Sequence, residues 1–169
     1  SVGAEVTSQM IRVENQFSRT LVAAESPHIV STAKRLKDDL KGDTRERVEA
    51  ALGLYAEILD LARSVSVFQT DVKLASGKIE SVNVLRMGLM PQGYFSQPSG
   101  EERGFVLEDK ESDGGFISMS QGLSAIQKGQ IARATTSPEN GALLPVDVTG
   151  TGIQAEQTRY SMEAVSYTH

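Results

Sequence analysis

Hydrophobic residues in the first part of the chain recur at helical spacing. Val6, Met10, Val13, Phe17, Leu21 and Ala24 follow one another at steps of four, three, four, four and three. They form one narrow apolar stripe, with Glu5, Gln9, Arg12, Gln16 and Arg19 on the polar side. The stripe predicts a core-packing helix, with the end of a coiled coil as the alternative. Ser26-Pro27 then reads as an N-cap and first helical residue, because proline lacks the amide that is unpaired there anyway. Ile29, Ala33, Leu36 and Leu40 repeat on one face, and Gly42 reads as the helix stop. Asp43-Thr44-Arg45-Glu46 reads as a capping box, followed by a wider apolar face of Val48, Ala51, Leu52, Tyr55, Ile58, Leu59 and Ala62. Two antiparallel helices joined at Lys41-Gly42-Asp43 are expected.

The period changes after Ser64. The following Val- and Ile-rich runs, parted by Ser76-Gly77, predict a β-hairpin whose second strand ends or bends near Met90, before Pro91. Gly93-Tyr94-Phe95-Ser96 starts another strand, Pro98-Ser99-Gly100-Glu101 turns it and Gly104-Phe105-Val106-Leu107 returns. Asp113-Gly114-Gly115 makes one more turn into Phe116-Ile117. A helix capped by Ser118 or Ser120 follows, with Leu123, Ile126, Gln127, Ile131 and Ala134 on one side. Gly122 and Gly129 fall inside it, where each costs about 1 kcal/mol against Ala and implies close approach to a neighbour. Leu143 to Val148 is a short apolar segment, and a polar tail follows. Runs of helix and strand, rather than alternation, predict an α+β fold. Its parts are antiparallel N-terminal helices, a mainly antiparallel sheet of four to five strands and a packing helix. The expected division is a helical arm at 1–25, one domain at 26–148 and a tail at 149–169.

With 169 residues the chain has enough length to bury a core without metal or disulfide staples. It has no Trp, four Tyr and five Phe, so the core rests on aliphatic side chains. The net charge of −5, with scattered Lys and Arg, opposes nucleic-acid binding, which needs a basic face to displace counterions. The absence of cysteine removes disulfides, thiolate metal sites and thiol nucleophiles, and suits either cytosol or periplasm. No apolar run is long enough to span a bilayer, and the opening SVGAEV has neither an initiator Met nor a leader pattern. A processed protein or an excised domain is expected.

Catalytic constellations are hard to assemble from these residues. His28 and His169 stand alone in the sequence, and His28 is expected to be solvated. The acidic run from Glu108 to Asp113 lacks the alternating ligand positions of a calcium loop and reads as a solvated turn. The glycines near 122 and 150 lack the strand, helix and Lys-Ser/Thr context of a phosphate loop. No catalytic, metal or cofactor residues are assigned.

The stretch Val82-Asn83-Val84-Leu85-Arg86-Met87-Gly88, followed by Gly93-Tyr94-Phe95-Ser96, resembles a family of uncharacterised bacterial envelope proteins. Members occur beside, or fused to, ExbB/TolQ/MotA-like proton-channel components of TonB-type systems. The pattern continues through Gly100, Gly104-Phe105, Ala125-Ile126, Ile131-Ala132 and Leu144-Pro145-Val146, and covers roughly Ser26 to Val148. The helical pair from Ala33 to Ala62 sits where the family has two helices after a long coiled coil. Two departures are present. The long coiled coil is missing or reduced to the Val6–Ala24 stripe, and Met90-Pro91-Gln92 interrupts where the family strand runs on. The resemblance implies a non-catalytic periplasmic accessory domain that binds protein partners of an inner-membrane proton-channel complex and forms homo-oligomers.

On a pleated strand Val82, Val84 and Arg86 share one side and Asn83, Leu85 and Met87 the other. Arg86 then sits at the end of an apolar face, where an ion pair with one of the turn acids is favoured over a partner contact. Gly88 marks a bulge or a close backbone approach. Tyr94 and Phe95 point to opposite faces, so one is expected in the core and the other half exposed as an interface anchor. The candidate interaction residues are therefore Met10, Val13 and Phe17 on the stripe, with Arg86, Tyr94 and Phe95. Two further readings compete with the adaptor: a small-ligand sensory domain with its site near Arg86, and a structural subunit of a phage or secretion machine.

Overall fold

The computed structural model describes residues 1–112 and 114–137. The Leu143–Val148 segment, the Leu144-Pro145-Val146 pattern, the tail from 149, His169 and Asp113 lie outside the described residues. Five helices and five strands follow in the order α1 (Val2–Phe17), α2 (Leu21–Glu25), α3 (His28–Asp38), α4 (Thr44–Ala62), β1 (Val65–Lys73), β2 (Ile79–Met87), β3 (Gly93–Ser96), β4 (Arg103–Glu108), β5 (Phe116–Met119) and α5 (Ala125–Ala134). The expected α+β order is present: N-terminal helices, a mixed five-stranded sheet and a C-terminal packing helix.

The first stripe divides between two cores. Val6, Met10, Val13 and Phe17 of α1 join Ile29, Ala33 and Leu36 of α3 and Ala51, Leu54 and Ile58 of α4 in a helical core. The chain leaves the helix after Phe17, and Leu21 of α2 packs instead among residues of the sheet. Residues 2–25 are thus built into the body of the protein rather than standing off as an arm. The stripe's hydrophobes are consumed by α3 and α4, which leaves it no seam for a coiled coil.

The contacts between α3 and α4 establish their antiparallel course. Arg47, in the first turn of α4, donates to the Leu36 carbonyl near the end of α3 at 2.9 Å, while His28 at the start of α3 meets Glu57 late in α4. The caps differ from expectation in detail. α3 starts at His28 without a side-chain cap, and Ser26 serves through its carbonyl, 3.1 Å from the Ile29 amide. It ends at Asp38, so Leu40 lies beyond the helix and is exposed. Gly42 has no left-handed backbone; it makes room for the Asp39 carboxylate. Asp43 does cap α4, accepting from the Arg45 amide at 3.0 Å. Leu52 and Leu59, expected in the core, are 63% and 55% exposed, because α1 and α3 cover only the Ala51, Leu54 and Ile58 side.

The strands run β1-β2-β3-β4-β5, each antiparallel to the next, and close into a small barrel through one parallel bridge between Lys73 of β1 and Ile117 of β5. The hairpin at Ser76-Gly77 is as expected, with Gly77 at φ +87°. Strand alternation sorts the side chains into two clusters. Val72, Val82, Val84, Phe95, Val106 and Phe116 gather with Leu21 on the α2 side. Leu85, Met87, Tyr94 and Phe105 gather with Ile131 and Ala134 of α5 on the other.

The α5 cap is Ser124, not Ser118 or Ser120. Its hydroxyl accepts from the Gln127 amide at 3.2 Å and the Gln127 side chain accepts from the Ser124 amide at 2.8 Å, a complete capping box. Gly122 therefore precedes the helix, at φ +82°. Gly129 is inside it, but nothing lies within 4 Å of where its Cβ would stand. Ile126 faces outward.

Candidate functional site

The strand that carries Arg86 ends where α2, the end of α4 and the start of β1 converge. Arg86 is 1% exposed, and its guanidinium donors are met from within the chain. Nε donates to Glu25 Oε2 at 3.0 Å. One terminal nitrogen donates to the carbonyls of Leu61 at 2.9 Å and Gly88 at 2.8 Å, with Ser64 O at 3.4 Å. The other donates to Ser64 Oγ at 2.8 Å and Ser66 Oγ at 3.2 Å. Ser66 in turn donates to both carboxylate oxygens of Glu25. A planar five-donor group suits this junction because it spreads one charge over several fixed acceptors.

An ion pair for Arg86 is found, but its acid is Glu25 at the end of α2 rather than a turn carboxylate. The turn acids are engaged elsewhere: Glu108 faces Arg19 at 3.8 Å and Glu102 accepts from the Ala75 amide and the Ser118 hydroxyl. Gly88 is a close approach, as expected. Its φ is +56°, its amide donates to the Ser64 carbonyl at 2.9 Å, and a Cβ there would stand 2.8 Å from the Ala62 carbonyl oxygen. Arg86 and Gly88 together bind the helical layer to the barrel.

The other candidate residues do not meet at one place. Met10, Val13 and Phe17 are buried in the helical core. Tyr94 and Phe95 do point to opposite faces, yet both are buried. Phe95 fills the α2 side, while Tyr94 lies under α5, its ring centroid 5.1 Å from that of Phe105. A strand covered on both faces exposes neither aromatic, so the expected half-exposed anchor is absent from β3. The place near Arg86 foreseen for a small ligand is filled by the Arg86 network itself.

Sequence reasoning missed three features. Arg47 is a second buried arginine, donating to Thr7 Oγ1 and the Leu36 carbonyl at 2.9 Å each and to the Gly3 carbonyl at 3.4 Å, with Nε unpartnered. His28 is exposed, as expected, but its partner there, Glu57 on the helical surface, was not foreseen. A cavity of about 650 Å³ opens at the β1–β5 seam, lined by Thr70, Asp71, Lys73, Asp109, Ser112 and Phe116 among others. Among the described residues no three His, Asp or Glu side chains gather as a metal site, and no helix is long and apolar enough to cross a membrane. Two surface ionisations are displaced. Lys37 is raised above its ordinary 10.5, chiefly by its hydrogen bond to Glu14 at 2.7 Å, and Glu80 is lowered from 4.5, chiefly by Lys78 and then Gln97. No family model, curated protein or solved structure matches the chain.

Proposed function

We propose that the chain is a non-catalytic adaptor domain of the bacterial periplasm, serving an ExbB/TolQ-type proton-channel complex by binding its protein components. One observation carries this reading. The residues of the motif, Arg86, Gly88, Tyr94, Gly104 and Phe105, all serve to hold a shape. Arg86 spends its donors on internal acceptors, and Tyr94 and Phe105 pack under α5. A signature that fixes a rigid junction and presents no reactive group fits a docking part better than a catalyst. The resemblance supplies the partner class.

The experiment is titration of the full chain onto a purified ExbB/TolQ-type channel complex from the same cell, in detergent, by interferometry. Saturable binding supports the adaptor reading, and no binding at any accessible concentration removes it. A second reading, a small-ligand sensory domain, has one observation in its favour: the seam cavity, whose lining includes Lys73, Asp71 and Asp109 together with Ile79 and Phe116. Thermal-shift screening with small polar metabolites tests it, and Lys73→Ala should abolish any shift observed.

A further inference from the structure

The outward side of α4 carries a pattern that its own fold does not use. Glu49, Leu52, Ala56 and Leu59 follow at steps of three, four and three along one line of α4, and Arg63, the C-cap residue, follows four positions later just past the helix end. All five are exposed, and the two leucines are 63% and 55% so. Leucines at such positions on a 19-residue helix leave a substantial apolar area in water. Around them the surface is low. Ala56 is small, and a Cβ on the neighbouring Gly53 would meet nothing within 4 Å. A second backbone can therefore come close.

The order of the five residues is the decisive point. Read forward it is acid, Leu, small, Leu, base; read backward it is base, Leu, small, Leu, acid. An antiparallel copy of the same helix, related by a two-fold axis at Ala56, sets Ala56 against Ala56. Leu52, four residues from the axis, comes next to Leu59, three residues from it, with the exposed Asp60 level with Leu52 and Gly53 level with Leu59. The same axis brings Glu49 beside Arg63 at each end. Glu49 and the C-cap residue Arg63 each lie seven residues from Ala56, about 10 Å at helical rise. A two-fold interface needs a self-complementary patch, and this one complements itself in shape and in charge. Arg63 forms no ion pair in the described structure beyond its backbone bonds, and Glu49 holds only the exposed Arg45, 3.3 Å away.

We infer that the chain forms a symmetric homodimer through α4, packed antiparallel about Ala56, with Leu52 and Leu59 as its apolar centre and Glu49–Arg63 pairs at its ends. This places self-association on α4 instead of the N-terminal stripe, whose apolar residues are buried in the helical core. The inference does not rest on the adaptor reading, and either can fail alone.

The test is sedimentation velocity of the full chain over a wide concentration range, with circular dichroism as the control for folding. A monomer–dimer equilibrium is expected. Leu52→Asp with Leu59→Asp alters only exposed positions, so it should keep the fold and leave a monomer. Glu49→Arg and Arg63→Glu should each weaken the dimer by about five-fold or more, since two exposed ion pairs are lost per dimer, and the double reversal should restore it. The cysteine-free chain allows a direct geometric check. Ala56→Cys should form a disulfide-linked dimer under mild oxidation, whereas Glu46→Cys, far from the axis, should not. A chain that is monomeric throughout overturns the inference. So does a dimer that survives the paired leucine substitutions or fails to cross-link through position 56.

Discussion

Among the described residues two arginines are buried, and they are held in different ways. Arg86 has a carboxylate beside it and acceptors from five segments: α2, the end of α4, the α4–β1 connection, β1 and the residue just past β2. Arg47 has only neutral acceptors, namely the carbonyls of Gly3 and Leu36 and the Thr7 hydroxyl, and its Nε is left unpartnered. The Leu36 carbonyl lies in the last turn of α3, where carbonyls carry the negative end of the helix dipole. The difference follows from what each joins. Arg47 ties helices already held together by apolar packing. Arg86 spans the boundary between the helical core and the barrel, where its hydrogen bonds add to the apolar packing of Leu21 and Val22 of α2.

The comparison breaks first at Arg86. Replacing it by Met strands the Glu25 carboxylate in a largely buried place, and about 3–5 kcal/mol should be lost. Urea denaturation measures it, and adding Glu25→Leu should recover part of the loss. Next in size is Gly88→Ala, which forces a side chain onto a left-handed backbone and against the Ala62 carbonyl. About 1–3 kcal/mol should go. Arg47→Met leaves no carboxylate behind and should cost only about 1–2 kcal/mol, the net worth of the hydrogen bonds its charged group makes to neutral acceptors. If it costs as much as Arg86→Met, the distinction between the two sites is wrong.

The smallest effect concerns pH. Lys37 is raised by Glu14, so its contribution is fully present below the unfolded value and is lost as pH rises through the folded value, above 10.5. Glu80 is lowered by Lys78 and Gln97, so its contribution is present above the unfolded value and is lost as pH falls through the folded value, below 4.5. Neither changes across neutral pH. Melting temperatures of Lys37→Met and Glu80→Gln variants should therefore run parallel to the parent there, and converge on it at the alkaline and acid ends respectively.

What could be read from the residues was local. The β1–β2 hairpin, the Asp43 cap, the close approach at Gly88 and the opposed sides of Tyr94 and Phe95 each depend on neighbours a few positions away, and each is found. What could not be read depends on distant partners. Arg86 finds an acid 61 positions away in sequence, at Glu25. The closing of the sheet needs β1 to reach β5, which no periodicity announces. Burial on α4 is the same case. Leu52 and Leu54 are equally apolar, and only the placement of α1 and α3 decides that the second is covered and the first is not. The exposed anchor expected on β3 failed because α5 covers the second face. The outward pattern on α4 was written in the sequence, but became visible only once its leucines were known to be free.

The barrel is fastened unevenly. β1 and β2 share nine registered residue pairs, from Val65–Met87 to Lys73–Ile79, whereas β1 and β5 share the one bridge at Lys73 and Ile117. Under sideways tension the barrel has a clasp rather than a uniform hoop. Parting the clasp gives up the one bridge and leaves the edge of β1 that faces β5 without a strand partner along its whole length, while the nine-pair seam holds. An exposed strand edge is a template for another strand. A pulled molecule of this kind offers at its clasp a backbone surface that the relaxed one keeps folded away.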